Sequence, residues 1–287
     1  MTIYNLGSIN IDLVYRVPHL PGAGETLAST GFTKGLGGKG ANMSVAVTRA
    51  QSQCVHIGAV GGDGHWAKDR LNDYGVIDDN IHVSQEATGH AIIAVDNAGE
   101  NAIILYPGAN HALLETDIAL AMSSAKSGDT FLFQNETNGL EHGVKLAREL
   151  GLRIAHAAAP FEAEAVIPVL PFLDLLVLNE VEAEQLQSAT GQALAELPVA
   201  DVVVTLGAKG CRWHSGQNTR AFPAISVTPI DTTGAGDTFT GYLIAALDQG
   251  KPMEQAIELA GRAGALMVTR LGTADVIPTL QEVQEAF

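Results

Sequence analysis

Asp174-Leu175-Leu176-Val177-Leu178-Asn179-Glu180-Val181-Glu182-Ala183-Glu184 reads as one strand running into one helix. Asp174–Leu178 is apolar after its first residue, the pattern of a strand covered on both faces. Val181–Ala189 then takes a helical pattern. The same unit recurs outward in both directions. Strands are expected at Ile3–Leu6, Val55–Val60, Thr130–Phe133, Arg153–His156 and Asp201–Leu206. Helices are expected at Ala41–Ala50, His65–Tyr74, Glu115–Ala125, Glu141–Leu150, Asp237–Asp248 and Pro252–Thr269, the last opened by a proline whose missing N–H is no loss in a first turn. Strand–helix alternation of this kind predicts an α/β fold with a central, mostly parallel sheet flanked by helices.

Two stretches break the alternation. Residues 12–37 and 89–106 carry strand-like runs with no helix between them, and Asn97-Ala98-Gly99-Glu100 is a good hairpin turn between His90–Val95 and Asn101–Tyr106. They are expected to form a small antiparallel sheet, making residues 1–287 one domain with a β insertion.

Composition narrows the function. The chain has 287 residues, enough for a full hydrophobic core. Acidic residues number 32 and basic ones 16, so the net charge is 16 − 32 = −16. Such a surface repels nucleic-acid phosphates and anionic membranes and leaves room only for a locally basic anion pocket. The longest apolar run, Val166–Leu178, is interrupted by Pro168, Pro171 and Asp174 and is too short and broken to span a bilayer. Two cysteines, Cys54 and Cys211, make no disulfide framework, and no basic region precedes the first apolar stretch. A cytoplasmic protein with reduced, buried thiols is expected.

In α/β sheets, ligands sit beyond the carboxyl ends of the strands, where glycine-rich turns lead into helices. Gly35-Leu36-Gly37-Gly38-Lys39-Gly40-Ala41-Asn42 is one such turn, with a cation and an amide placed to hydrogen-bond a ligand. Lys39 is followed by Gly40, so this is not a Walker A loop, and no strand leads into a dinucleotide fingerprint. Asp231-Thr232-Thr233-Gly234-Ala235-Gly236-Asp237-Thr238-Phe239 is the other. Small residues run straight into a helix start, where free N–H groups and the helix dipole favour an anion. A carboxylate beside a phosphate-binding turn suits a general base; a mere capping residue would not call for Gly-Ala-Gly before it.

These two turns resemble the signature motifs of the ribokinase (PfkB) family of carbohydrate and nucleoside kinases. The resemblance runs in order along nearly the whole chain, through Gly7-Ser8-Ile9-Asn10-Ile11-Asp12, Gly99-Glu100-Asn101, Gly108-Ala109-Asn110, Asn179-Glu180-Val181-Glu182, Thr205-Leu206-Gly207 and Val268-Thr269-Arg270-Leu271-Gly272. It implies transfer of the γ-phosphate of ATP, with Mg2+, to a sugar hydroxyl, D-ribose at its 5-hydroxyl foremost. Fructose, a sugar acid or a nucleoside are alternative acceptors, and a non-catalytic sugar-binding protein is the rival outside enzymology.

The resemblance makes Asp237 the catalytic base and Gly234, Ala235 and Gly236 the anion hole. It assigns sugar contacts to Asn10, Asp12, Gly38, Lys39, Asn42 and Glu136, with Ala91 and Ile93 covering the sugar from the β insertion as a lid. Asn179, Thr205, Gly207 and Gly236 would contact ATP, and Glu182 would act indirectly on Mg2+. Asp231, Thr233 and the loop near Gly272 would hold an activating monovalent cation, usually K+. Family lids also pack two subunits into a homodimer. The chain departs from the family at Thr273-Ala274-Asp275-Val276, where a serine is usual. It departs again at Ala155-His156-Ala157-Ala158-Ala159-Pro160, where Ala157 replaces an asparagine.

Overall fold

The computed structural model describes every residue, Met1–Phe287. Its strands in chain order are β1 (Thr2–Leu6), β2 (Asn10–Arg16), β3 (Gly31–Gly37), β4 (Gln53–Gly61), β5 (Ile81–Ser84), β6 (Gly89–Val95), β7 (Asn101–Tyr106), β8 (Thr130–Gln134), β9 (Arg153–Ala157), β10 (Leu175–Asn179), β11 (Asp201–Thr205), β12 (Cys211–Ser215) and β13 (Asn218–Phe222). Its helices are α1 (Lys39–Arg49), α2 (His65–Asp73), α3 (Glu115–Ala121), α4 (Leu140–Glu149), α5 (Ala163–Val166), α6 (Glu180–Thr190), α7 (Ala235–Asp248), α8 (Met253–Met267) and α9 (Leu280–Ala286).

Nine strands form the main sheet in the order β13-β12-β11-β10-β9-β8-β1-β4-β5. The seven from β5 to β11 run parallel; the β12–β13 hairpin closes one edge antiparallel. The two-residue period of a strand splits its side chains between two cores. Ile3 and Leu132 pack under α1, α7 and α8 in one buried cluster. Tyr4, Leu6, Phe131 and Phe133 pack on the other face with residues of α3, α4 and α6. Both faces are thereby covered, which is why these strands read as continuous apolar runs. No helix is long and apolar enough to cross a membrane.

The remaining strands form a second sheet in the order β3-β2-β6-β7. The expectation of a purely antiparallel sheet is corrected here. Its central pair, β2 and β6, is parallel, with Asp12 opposite Ala91 and Val14 opposite Ile93. The reason is topological. β2 follows β1 and β6 follows β5, and β1 and β5 point the same way in the main sheet. Both connections therefore leave the body in one direction. The β6–β7 hairpin, with its Asn97–Glu100 turn, forms as expected.

Three further differences have local causes. β5 and the β12–β13 hairpin are short and half-polar, so their pattern is weak. Helix α9 is also short, started by Thr279, which exchanges hydrogen bonds with Glu282. Helix α7 begins at Ala235 rather than near Asp237, because Gly234 takes the left-handed conformation (φ 74°) and turns the chain into the helix two residues earlier than the sequence suggested.

Candidate active site

The two glycine-rich turns meet at the carboxyl ends of the central strands. Gly38 (φ 94°) precedes α1, and Lys39 and Asn42 occupy that helix's first turn. Gly234 precedes α7, and Asp237 occupies its first turn. The contact between the turns is direct: Asn42 Nδ2 donates to Asp237 Oδ2 at 2.8 Å. Asn42 Oδ1 is buried with no partner, an acceptor left over at the site. The main-chain N–H groups of Gly236 and Asp237 also find no acceptor in the chain. Two free donors at a helix N-terminus beside a carboxylate are what a transferring phosphoryl group requires.

Charge is concentrated around this point. Glu136, just past β8, accepts from the main-chain N–H of Lys39 at 3.2 Å and from the Ser8 hydroxyl. Burial pushes the carboxyls of Asp12, Glu136, Glu182 and Asp237 upward. For Asp12 the neighbouring charges of Glu136 and Asp237 add to burial and take it to about 7. Burial also works against the charge of Lys39, but the field of Asp237, Glu136 and Glu182 outweighs it and raises its pKa. Lys39 therefore stays cationic within the field of these three carboxyl groups, a basic point at the centre of an acidic cluster.

The small sheet supplies one wall. Asn10 and Asp12 on β2 are buried, and Ala91 on β6 lies opposite Asp12. Ile93, two residues on, shares that face and is half-buried. The sites expected for nucleotide and metal are more spread out. Asn179 caps α6: its Oδ1 accepts from the N–H of Glu182, and Glu182 Oε2 accepts from the N–H of Asn179, both at 2.8 Å. Thr205 stands opposite Asn179 on β11, and Gly207 lies in the turn after it. No hydrogen bond ties Thr205 or Gly207 to Asp237. Asp231 accepts from the N–H of Thr233 at 2.9 Å and of Gly272 at 3.2 Å, so these three residues do come together.

Several contributors have no chemical label in the sequence. Thr273, in the departure segment, donates to the Leu36 carbonyl at 2.7 Å and ties the Gly272 loop to β3. Beneath the Gly38–Asn42 turn lies a buried network. Asn5 donates to the Gly40 carbonyl and to Ser44 Oγ, and Ser44 bonds His56 Nδ1, all at 2.8 Å. His56 Nε2 bonds the Gly7 carbonyl at 3.0 Å. A carbonyl only accepts, so Nε2 carries the proton and Nδ1 accepts from Ser44. Burial lowers the His56 pKa to about 4 and keeps it neutral. Beside Ala157, Asn135 donates to the Pro160 carbonyl at 2.9 Å and bonds His156 at 2.8 Å. That pair anchors the residue next to Glu136 where the family's asparagine is missing. A cavity of about 580 Å3 lined by Met1, Thr2, Gln53 and Asp129 lies at the opposite end of the strands and contains none of these groups.

A parallel α/β sheet with an anion-binding helix start, an adjacent carboxylate and a polar wall defines a small-molecule phosphotransferase with an alcohol acceptor. Residues 2–280 match the pfkB family carbohydrate kinases, and the chain belongs to that family. It is 36% identical to a ribokinase of Haemophilus influenzae, over 99% of this chain and 97% of that protein. The crystal structure of a ribokinase from Thermotoga maritima superposes with a TM-score of 0.90 at 31% identity, covering 99% of this chain and 98% of that one. A ribokinase of Arabidopsis thaliana complexed with ribose and ATP superposes with a TM-score of 0.85 at 28% identity, covering 99% and 97%.

Proposed function

We propose that this chain is an ATP-dependent kinase that phosphorylates D-ribose at its 5-hydroxyl. The observation that carries the reading is Asp237: a half-buried carboxylate held by one amide, beside two unpaired N–H groups and within the field of Lys39. The similarity to a ribokinase complexed with ribose and ATP supports the choice of sugar.

In this reading the 5-hydroxyl oxygen forms a bond to the γ-phosphorus as its proton passes to Asp237. The bond to the β,γ-bridging oxygen breaks, and ADP leaves with that electron pair. The N–H groups of Gly236 and Asp237, with the Gly234–Ala235 turn, stabilise charge on the transferring oxygens. Asn10, Asp12, Lys39, Asn42 and Glu136 pair the sugar's other hydroxyls, and Gly38 lets the main chain approach it. Ala91 and Ile93 cover it and exclude water, which would otherwise divert the phosphoryl group. Asn179, Thr205 and Gly207 face the nucleotide.

The donor set bears on the metals. Mg2+ keeps most of its waters and is held largely through substrate phosphates, so Glu182, whose Oε2 already accepts from the Asn179 N–H, would act on it indirectly through those waters. When bound, Mg2+ neutralises charge on the phosphate oxygens. Asp231 and the carbonyls near Thr233 and Gly272 offer the hard oxygen donors a potassium ion takes. The segment Thr273–Val276 has no serine, so the side-chain hydroxyl usual there in the family is not matched by a serine in this set.

Ile103, Ile104, Leu105 and Tyr106 on β7 are all exposed, on an edge strand of a small sheet. A second copy of the lid covering this strand would make the protein a homodimer. Free, buried Cys54 and Cys211 fit a reducing cytoplasm.

The test is ADP release from Mg-ATP with D-ribose, 2-deoxy-D-ribose, fructose, a keto-deoxy sugar acid, adenosine and uridine. Turnover highest on D-ribose is expected. Turnover on another acceptor alone would overturn the substrate, and silence on all six would overturn the kinase.

A further inference from the structure

The Gly108-Ala109-Asn110 motif has no role in the chemistry above, yet Asn110 is only 1% exposed and makes two side-chain hydrogen bonds. It lies in the turn after β7, where the small sheet rejoins the body. Its Oδ1 accepts from the main-chain N–H of Ile9 at 2.9 Å. A main-chain N–H can only donate, so this arm must be the oxygen and the other arm the nitrogen. That nitrogen donates to Asn10 Oδ1 at 2.8 Å. The orientation of the Asn10 amide follows: its oxygen is engaged with Asn110, and its Nδ2 has no acceptor in the chain.

Gly89 makes this arrangement possible. A Cβ there would stand 2.2 Å from Asn110 Nδ2 and 2.5 Å from Asn10 Oδ1. Any side chain at position 89 would push the two amides apart.

We infer that Asn110 is a positioning residue that fixes the donor end of Asn10 toward the sugar, and so selects for a hydroxyl acceptor at that point. The inference rests on the sugar-kinase reading. The rest of the pocket gives it meaning: Asp12 and Glu136 accept when ionised, whereas Lys39 only donates. Asn10 Nδ2 adds a neutral donor beside the acceptors. Asn10 is only 5% exposed, so a sugar lacking the matching hydroxyl leaves that donor buried and unpaired.

Asn110→Asp tests this. One carboxylate oxygen still accepts from Ile9, but the other now faces Asn10 as an acceptor. Asn10 must turn its Nδ2 inward, leaving its oxygen toward the sugar. Steady-state kinetics are compared for wild type and variant on D-ribose, 2-deoxy-D-ribose and 3-deoxy-D-ribose. The KM for D-ribose is expected to rise about tenfold, the worth of one lost hydrogen bond. The KM for ATP should stay within about twofold, and discrimination against the deoxy sugar that wild type disfavours most should shrink by about the same tenfold factor. Asn10→Asp preserves the bond from Asn110 and replaces only the outward nitrogen with oxygen. It should reproduce the pattern, and it stands in if Asn110→Asp does not fold. An unchanged ribose KM, or equal losses toward ribose and ATP, would overturn the inference. A wild type that refuses ribose refutes the substrate reading instead; the same comparison is then made with the accepted sugar and its deoxy analogues.

Discussion

Replacing Asp237 by asparagine removes the proposed proton acceptor while disturbing little else. The hydrogen bond from Asn42 Nδ2 at 2.8 Å points at Asp237 Oδ2, and an asparagine oxygen can accept it equally well. The new NH2 group is then turned toward the substrate hydroxyl, a donor where an acceptor is needed. General-base assistance is worth about 10²–10⁴-fold, or about 3–5 kcal/mol of barrier, and kcat should fall by that factor. The KM for the sugar should change much less, because Asn10, Asp12, Lys39 and Glu136 are untouched. A secondary effect follows from the electrostatics. The charge of Asp237 helps raise the carboxyls of Asp12 and Glu136, so both should titrate at lower pH in the variant. The assay is coupled ADP release at saturating ribose and Mg-ATP, with binding of each substrate measured by calorimetry. A variant retaining kcat within fivefold of wild type would refute the role of Asp237 as base.

Three further outcomes are expected. Asp12 titrates at about 7 in the folded protein against 3.8 for an unperturbed aspartate, so the unfolded chain ionises first. Its contribution to stability therefore falls as pH rises from about 4 to 7. The Tm difference between pH 5 and pH 7.5 should shift in Asp12→Asn, which lacks this loss; identical pH dependence in the two proteins would refute the assignment. Ile104→Lys places a charge on the most exposed part of β7 and should halve the mass measured by light scattering at micromolar concentration, whereas a wild type that is already monomeric there rules out the lid dimer. Potassium should raise turnover over sodium or choline at equal ionic strength, and equal rates in all three would mean that the Asp231–Gly272 site no longer binds an activating cation.

The residues proposed to do the chemistry were legible because they sit in short motifs with their own physical logic. Gly234-Ala235-Gly236-Asp237 announces an anion site at a helix start whatever surrounds it, and the structure brings Asp237 to Asn42 as the two motifs together suggested. Local pattern also decided the parallel sheet, since strands covered on both faces must be apolar throughout. Sequence could not decide relationships between distant segments. Asn110 lies 100 residues from Asn10, and nothing near either says that one orients the other. The same holds for the Asn5–Ser44–His56 network, whose members look like ordinary polar residues until three separate elements bury them together. The parallel pairing of β2 with β6 depends on where β1 and β5 end in the main sheet, and the pKa of Asp12 depends on the carboxylates of Glu136, just past β8, and of Asp237 on α7. Hydrophobic period and turn chemistry are local and were determined by the sequence alone. Amide orientation, proton affinity and strand direction in the small sheet depend on which distant groups share a space, and only the tertiary structure decided them.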